Sequence, residues 1–204
     1  MAAVFRSADV FGVLLAWDAE TATGLPPVTN DFVAACVREH PDVFCGFASV
    51  DPHKGDAAVA ELERAVRFLG LRGLKLHPTA QGFRPCDEIA YPIYEAAQAL
   101  GIPVTVHTGT TGLGAGMPGG GRMKLEASRP IHLDAVAADF PDLQVVMAHP
   151  AWPWQDEQIA VALHKPNVWI DLSGWSPADS RPSWSERSRG GCRTVCSSAP
   201  TTPS

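Results

Sequence analysis

The stretch 73–107, GLKLHPTAQGFRPCDEIAYPIYEAAQALGIPVTVH, decides the fold because it holds a complete strand–helix–strand unit. The runs Gly73–His77 and Ile102–His107 are predicted strands, and Glu88–Leu100 between them is a predicted helix that ends at Gly101. Two strands joined by a helix run parallel and connect by a right-handed crossover. The unit therefore predicts an α/β architecture with a parallel sheet.

The same alternation continues on both sides of this unit. Further strands are predicted at Val10–Trp17, Phe44–Val50, Gln144–His149 and Asn167–Leu172. Further helices are predicted at Asp31–Glu39, Asp56–Leu69, Arg129–Asp139 and Gln155–His164, with a glycine-rich insertion at Gly109–Arg122. The first strand is apolar throughout and is expected to be buried on both faces. The chain thus contains about six consecutive β-α units.

A parallel sheet of this kind is either open or closed into a barrel. No Gly-x-Gly-x-x-Gly turn follows the first strand, which argues against a dinucleotide-binding sheet and favours a (β/α)8 TIM barrel. A complete barrel typically needs about 250 residues. Six units in 204 residues predict an incomplete barrel, with two strands unaccounted for.

The last part of the chain differs sharply from the rest. Residues 1–177 are predicted to form the partial barrel domain. Residues 178–204 lack periodicity and contain seven serines and four arginines, so this tail is expected to be disordered. The abrupt change suggests a tail translated outside the native reading frame.

Composition limits the partners. The formal net charge is −6 and no basic run occurs, so the expected partner is a small-molecule substrate and not a nucleic acid. No apolar run reaches the roughly 18 residues of a membrane span, and a cytoplasmic location is expected. An unclosed barrel exposes two sheet edges, which predicts aggregation or pairing into a homo-oligomer. The five scattered cysteines do not indicate a disulfide framework.

Three histidines close predicted strands in the same way: His77, His107 and His149. Since the carboxyl ends of barrel strands converge on one face, these imidazoles are expected to meet at the mouth of the barrel. Each alone is more simply a hydrogen-bonded core or rim residue. Together they suit a divalent cation such as Zn²⁺, which takes imidazole nitrogen and carboxylate oxygen.

Other polar and aromatic residues are placed near the same mouth. Lys75 shares a strand face with His77, so it either binds a substrate carboxylate or extends from the barrel interior to its rim. Trp17 ends the first strand and is a candidate for substrate contact. Trp152, beside Pro153, either lines a pocket for a planar substrate or packs a loop. Weaker rim candidates are Asp18, Asp51 and His53, and a structural role is expected for Asp171.

At these strand ends the sequence resembles the amidohydrolase superfamily. The resemblance rests on Gly73-Leu-Lys-Leu-His77-Pro, Ile102-Pro-Val-Thr-Val-His107-Thr-Gly and Leu143-Gln-Val-Val-Met-Ala-His149-Pro. It is similar in particular to the amidohydrolase-related branch that includes aminocarboxymuconate-semialdehyde decarboxylase-like and resorcylate decarboxylase-like enzymes. The likeness runs from Val10 to Trp175, through strands two to seven of the family's barrel, so the first and eighth strands are the missing ones.

The resemblance implies roles for the histidines. His107 would be a metal ligand, His149 a metal ligand or a catalytic acid/base, and His77 a second catalytic candidate close to the substrate. It implies a divalent metal cofactor, zinc in the first place and manganese as the alternative. The implied activity is that of a carboxy-lyase (decarboxylase) or a hydrolase acting on a small carboxylated or cyclic carbonyl compound.

Two motifs that the resemblance leads one to expect do not occur in this sequence. They are a His-x-His pair on the first strand and an aspartate in a Gly-Ser-Asp-like context at the end of the eighth. The alternative to an enzyme is therefore a catalytically inactive fragment that lacks half of its metal site. A metal-free sugar- or phosphate-metabolising barrel is disfavoured because no phosphate-binding glycine loop is found near the last strands.

Overall fold

The computed structural model describes residues 1–174 and the backbone of residues 194–195. The strands, in chain order, are β1 Gly12–Leu15, β2 Phe44–Phe47, β3 Leu74–Leu76, β4 Val104–His107, β5 Val145–Ala148, β6 Val168–Asp171 and β7 Thr194–Val195. The α-helices are α1 Ala2–Ser7, α2 Glu20–Thr23, α3 Asn30–Glu39, α4 Asp56–Arg67, α5 Pro78–Gln81, α6 Tyr91–Ala99, α7 His132–Asp139 and α8 Gln155–His164. Short 3-10 turns lie at Pro52–Lys54, Glu88–Ala90, Pro118–Arg122 and Leu125–Ser128.

All strands are parallel and follow one another in chain order. β1 pairs with β2, and β3 to β7 pair successively. Backbone hydrogen bonds join β2 to β3: the Ala48 amide donates to the Gly73 carbonyl and the Lys75 amide to the Ala48 carbonyl, each at 2.7 Å. Among the described strands, β1 pairs only with β2. The predicted parallel α/β barrel is confirmed, and it is open on the far side of β1.

The helices begin and end where side-chain chemistry favours it. Thr29 caps α3 by accepting a hydrogen bond from the Phe32 amide, and α3 ends at Glu39, two residues before Pro41. Outer-face ion pairs of α4 include Arg64 with Glu61. The sequence pattern did not predict α1, α2 or α5, which have four to six residues each.

The two faces of the sheet differ in burial. Residues that face the helices are almost fully buried, among them Leu74, Val104, Val145 and Val168. The aligned neighbours Lys75, Thr105, Val146 and Trp169 lie on the other face, toward the barrel interior.

The expectation that β1 is buried on both faces is wrong. Val13 is 48% exposed and Leu15 is 44% exposed, and both line a cavity of about 680 Å³ that extends to Asp171 and Ser173 near the end of β6. Because no described strand lies beside β1 on its free edge, the interior side of β1 is open to solvent.

The glycine-rich insertion after β4 includes a short left-handed segment. Gly119, Gly120 and Gly121 have φ values of 59°, 62° and 61°. L-residues rarely adopt this conformation, whereas glycine reaches it without steric cost. Gly114, Met117, Gly121 and Arg122 of this insertion border a second cavity, described below.

The predicted disordered tail at 178–204 lies outside the described residues, apart from the two-residue strand β7. Thr194 and Val195 pair in parallel with Ile170 and Asp171 of β6. Within residues 1–174, no helix is long and apolar enough to cross a membrane.

Candidate active site

The three strand-end histidines meet at one point of the barrel mouth. The rings of His77 and His107 are stacked, with centroids 3.9 Å apart and planes 9° from parallel. The ring of His149 stands edge-on to that of His107 at 5.1 Å. With Trp17, Lys75 and Asp171 they line a cavity of about 390 Å³. The structure thus brings together residues from β3, β4 and β6 and from the segments that follow β1 and β5.

His77 is held by the single-turn helix α5. Its backbone amide donates to Gln81 Oε1 at 2.8 Å, and its Nδ1 accepts a hydrogen bond from the Ala80 amide at 3.3 Å. Because Nδ1 acts as an acceptor, the ring proton of the neutral imidazole lies on Nε2. His77 therefore presents an N–H group as its second ring function.

His107 and His149 have the opposite character. His107 Nε2 lies 3.1 Å from the Thr110 carbonyl oxygen, and His149 Nδ1 lies 2.8 Å from the Ser173 carbonyl oxygen. A ring nitrogen donates to a carbonyl, so each neutral ring keeps a lone pair on its other nitrogen. The site thus combines one N–H donor with two imidazole lone pairs.

The segment after β6 positions His149 closely. Ser173 Oγ donates to Asp171 Oδ2 at 2.6 Å, and the Ser173 backbone carbonyl receives the His149 ring proton. His149 has a φ of +71°. A Cβ on Gly174 would lie 2.8 Å from His149 Nδ1, so only glycine lets the chain approach the ring this closely. Asp171 has the structural role that was predicted, as a partner of Ser173.

Two buried glutamines anchor the loops of the site, and neither was singled out from the sequence. Gln81 Nε2 donates to the carbonyls of Asp18 and Val50 at 2.6 and 2.8 Å. Gln158 Nε2 donates to the His149 carbonyl at 2.7 Å, while its Oε1 accepts from the Ala151 amide. Each amide therefore ties a histidine-bearing loop to its neighbours.

Lys75 is an ammonium group in a nearly closed environment. It is only 6% exposed and lines the same cavity as the histidines. Within residues 1–174 it makes neither a hydrogen bond nor an ion pair at contact distance. Burial lowers its pKa to about 8, although the charge of Asp171 acts in the opposite direction. At neutral pH Lys75 is therefore mainly cationic, and it has no anionic partner in contact among residues 1–174.

The same burial keeps the imidazoles neutral. Burial, reinforced by His107 and Lys75, lowers the pKa of His77 to about 2. Burial, reinforced by Lys75 and His149, lowers that of His107 to about 3. The pKa of His149 is also lowered by burial, against the opposing effect of its bond to Ser173. Neutral rings are the form that binds metals and accepts protons.

The described residues supply only part of a metal site. Ring lone pairs lie in the ring plane, so the parallel, stacked rings of His77 and His107 do not point at a common ion. That leaves His107 and His149 as the pair with free lone pairs. Within the described part of the chain, no three His, Cys, Asp or Glu side chains are grouped so as to hold a metal ion.

The remaining candidates are divided between the cavity and the surrounding loops. The ring of Trp17 packs against that of His77 at 5.1 Å. Trp152 does not line the cavity, is 43% exposed and holds the loop after β4 through its carbonyl, which accepts from the Thr110 amide.

The rim candidates Asp18, Asp51 and His53 form hydrogen bonds or ion pairs within the surrounding loops. Asp51 accepts from the amides of Thr21 and His53. Asp18 pairs with Lys54 at 2.9 Å, and His53 Nε2 contacts the Gln81 carbonyl at 2.9 Å.

Parallel strands in chain order, with imidazoles and a lysine at successive strand ends, are the arrangement of a TIM-barrel protein whose site lies at the carboxyl ends of the strands. The sequence pattern of the Amidohydrolase family matches residues 6–190. The chain belongs to this family.

Two curated relatives are decarboxylases. The chain is 31% identical over 88 residues to 2-amino-3-carboxymuconate-6-semialdehyde decarboxylase of Dictyostelium discoideum, a match covering 43% of this chain and 24% of that protein. It is 34% identical over 84 residues to gamma-resorcylate decarboxylase of Polaromonas sp., covering 38% of this chain and 26% of that protein. The matched regions span about a quarter of these relatives.

Solved structures show the same fold. An uncharacterised TIM-barrel protein of Bordetella bronchiseptica superimposes with a TM-score of 0.66 at 31% identity, over 82% of this chain and 56% of that chain. A dihydroxybenzoic acid decarboxylase of Polaromonas sp. JS666, solved with bound manganese and the inhibitor 2-nitroresorcinol, superimposes with a TM-score of 0.63 at 18% identity. The match covers 96% of this chain and 73% of that chain. These likenesses confirm the barrel.

Proposed function

We propose that the site binds the carboxylate of a small cyclic or aromatic acid and that the protein acts as an amidohydrolase-family decarboxylase. The observation that carries this proposal is the Lys75 ammonium, which is buried on the cavity wall with no anion in contact among the residues that the structure describes. A buried charge is costly unless an opposite charge accompanies it. A substrate carboxylate would supply that charge where three neutral imidazoles already lie.

The chain's own groups suit the individual tasks of a decarboxylase. Lys75 binds the carboxylate, and the Trp17 ring covers one side of a planar substrate. When the carbon–carbon bond breaks and CO₂ leaves, its electron pair stays on the substrate carbon, which must then receive a proton. His149 is the proposed acid/base: its free ring nitrogen takes a proton from a substrate hydroxyl or from water and delivers it to that carbon. The Nε2–H of His77 is the proposed hydrogen-bond donor to a substrate oxygen.

A divalent metal belongs to this proposal, with His107 as a ligand and His149 as either a second ligand or the acid/base, because the His149 ring has one free nitrogen. Manganese is bound in the Polaromonas structure, and zinc is the other candidate. Two imidazoles alone do not make a closed site, so further ligands must come from outside the described residues.

Two alternatives remain. A hydrolase of the same family would use the same histidines on a cyclic carbonyl compound. An inactive fragment is favoured by one observation, namely that no three possible metal-ligating side chains are grouped within the described residues.

The decisive experiment measures binding, metal content and product on the full chain. 2-Nitroresorcinol, whose nitro group has the shape of a carboxylate, is titrated into the protein with added Mn²⁺ or Zn²⁺. Lys75→Met is expected to weaken binding by roughly 10- to 100-fold, as for a lost charged hydrogen bond. The matched control, Lys124→Met, removes an exposed lysine and should leave binding unchanged.

Product and metal analysis separate the alternatives. CO₂ release from 2,6-dihydroxybenzoate supports the decarboxylase, and ring opening of a lactone without CO₂ supports the hydrolase. Loss of bound metal in His107→Ala but not in His164→Ala supports the role of His107 as a metal ligand. If the protein binds neither metal nor 2-nitroresorcinol while folded, the inactive fragment is the correct reading.

The proposal includes a cytoplasmic, homo-oligomeric enzyme without nucleic-acid or membrane partners. The exposed interior side of β1 supports the homo-oligomer. Size-exclusion chromatography with light scattering tests it, and a monodisperse monomer would contradict it.

A further inference from the structure

A cysteine, a histidine and a glutamate form a chain of contacts away from the candidate active site. Cys86 Sγ lies 3.6 Å from His132 Nδ1. His132 Nε2 lies 2.9 Å from Glu126 Oε1, and a second Glu126 oxygen receives a hydrogen bond from Arg84 at 3.1 Å. These residues come from three separate segments: the loop before the turn Glu88–Ala90, the start of α7 and the turn Leu125–Ser128.

The order of contacts sets the position of each proton. Glu126 is ionised, because its hydrogen bonds to Arg84 and His132 lower its pKa against the opposing effect of burial. A carboxylate only accepts, so His132 donates through Nε2 and keeps a lone pair on Nδ1. Burial and the carboxylate of Asp87 raise the pKa of the Cys86 thiol. Cys86 is therefore a neutral thiol next to an imidazole lone pair.

A thiol with an adjacent base that is oriented by a carboxylate is the arrangement of an assisted nucleophile. We propose that Cys86 is a reactive thiol that forms a mixed disulfide with small disulfides such as oxidised glutathione. When Cys86 Sγ attacks, a new S–S bond forms to one half of the reagent and the reagent's own S–S bond breaks. The thiol proton passes to His132 Nδ1 and then to the departing thiolate, so one thiol is consumed and one is released.

A cavity lies beside the cluster, although neither Cys86 nor His132 is among the residues that line it. Cys86 is partly exposed, and its neighbours Arg84 and Asp87, together with Glu126, border a cavity of about 770 Å³. Arg122 and Lys124 also lie on that wall, and they add positive charge that suits the carboxylates of glutathione. This cavity is lined by α5 and the glycine-rich insertion, and not by the three site histidines.

The chain provides matched internal controls. Cys36 and Cys45 are also free and partly exposed, and no histidine contact is found for either within residues 1–174. The full-length protein is incubated with oxidised glutathione, quenched with acid and digested, and the modified fraction of each cysteine is followed by mass spectrometry. Cys86 is expected to react at least tenfold faster than Cys36 or Cys45.

Substitution of the base tests the role of the imidazole. His132→Gln should slow modification of Cys86 about tenfold and leave Cys36 and Cys45 unchanged. Glu126→Gln should slow it by a smaller factor, and the surface variant His164→Gln should have no effect. Circular dichroism and thermal unfolding confirm that each variant is folded.

The pH profile gives a readout that mere exposure would not change. Besides His132, the charged or titratable groups around the thiol are Arg84, Asp87, Tyr91, Tyr94 and Glu126. In His132→Gln the rate should rise tenfold per pH unit below the thiol pKa, whereas the wild-type rate should rise less steeply. Equal rates for Cys86 and Cys36, or an unchanged profile in His132→Gln, would overturn the proposal.

Discussion

Strand β1, at the open edge of the described sheet, and strand β3, inside it, reach opposite degrees of burial. On β3, Leu76 is fully buried and Lys75 and His77 on the interior side are only 6% exposed. On β1, the interior-facing Leu15 is 44% exposed. The difference lies in what covers the interior: α5 and the loops after β4 and β5 close over the β3 side, and nothing described closes over β1. Enclosure, not strand composition, makes the histidine side a site.

The largest effect is expected for a pair of leucine-to-alanine substitutions, one on each of these strands. Leu76→Ala should lower the free energy of unfolding by about 2–5 kcal/mol, because it leaves a cavity in a packed core. Leu15→Ala should cost about 1 kcal/mol or less, since its side chain is half exposed. Urea unfolding monitored by tryptophan fluorescence measures both. An equal cost would show that the interior side of β1 is covered in solution.

A second test uses pH. The pKa values of His77 and His107 are lowered in the folded chain to about 2 and about 3, while the unfolded value is about 6.5. Below pH 6.5 the unfolded chain therefore binds more protons than the folded chain. The contribution of these two histidines to the free energy of unfolding is fully present above that pH and is lost as the pH falls toward about 3.

The size of this effect follows from linkage. Each of the two histidines should cost about 1.4 kcal/mol per pH unit between pH 6 and pH 4. Chemical unfolding at several pH values measures how steeply the free energy of unfolding changes with pH. It is applied to the wild type, to His107→Phe and to His40→Gln, in which the histidine replaced lies near β2. The slope should decrease in His107→Phe only. A slope that is the same in all three proteins would contradict neutral, enclosed imidazoles.

The smallest expected effect compares two glycines in the left-handed region. Gly174 has a φ of +82° and Gly101 one of +67°, so alanine should cost about 1 kcal/mol at either position. At Gly174 the new Cβ would also meet the ring of His149, whereas at Gly101 it would meet open space. Gly174→Ala should therefore cost roughly 1 kcal/mol more. Thermal unfolding gives both values, and equal losses would show that the His149 ring moves freely.

Much of the fold could be predicted from the sequence because strand and helix periods alternate regularly. Strands β1 to β6 lie within their predicted spans and α8 coincides with its predicted span, whereas β7 falls in the tail where no strand was predicted. The convergence of His77, His107 and His149 could also be predicted, because chain order fixes where parallel strands end.

Other features depend on tertiary contacts that have no local pattern. Gln81 and Gln158 resemble surface residues in sequence, and only the loops around them show that they are anchors. The stacking of His77 on His107 depends on α5, a single turn. The exposure of β1 could not be predicted, because an apolar run does not reveal whether another element covers it.

The left-handed turn at Gly119–Gly121 has a stereochemical consequence. Its backbone has the handedness that D-amino acids prefer, so a mirror-image residue would fit where an L-residue is strained. A Cβ at Gly120 would meet no atom within 4 Å. D-Alanine introduced at position 120 by chemical ligation should therefore stiffen the insertion at the rim of the cavity of about 770 Å³ and leave the shape of that rim unchanged. L-Alanine at the same position would distort the rim.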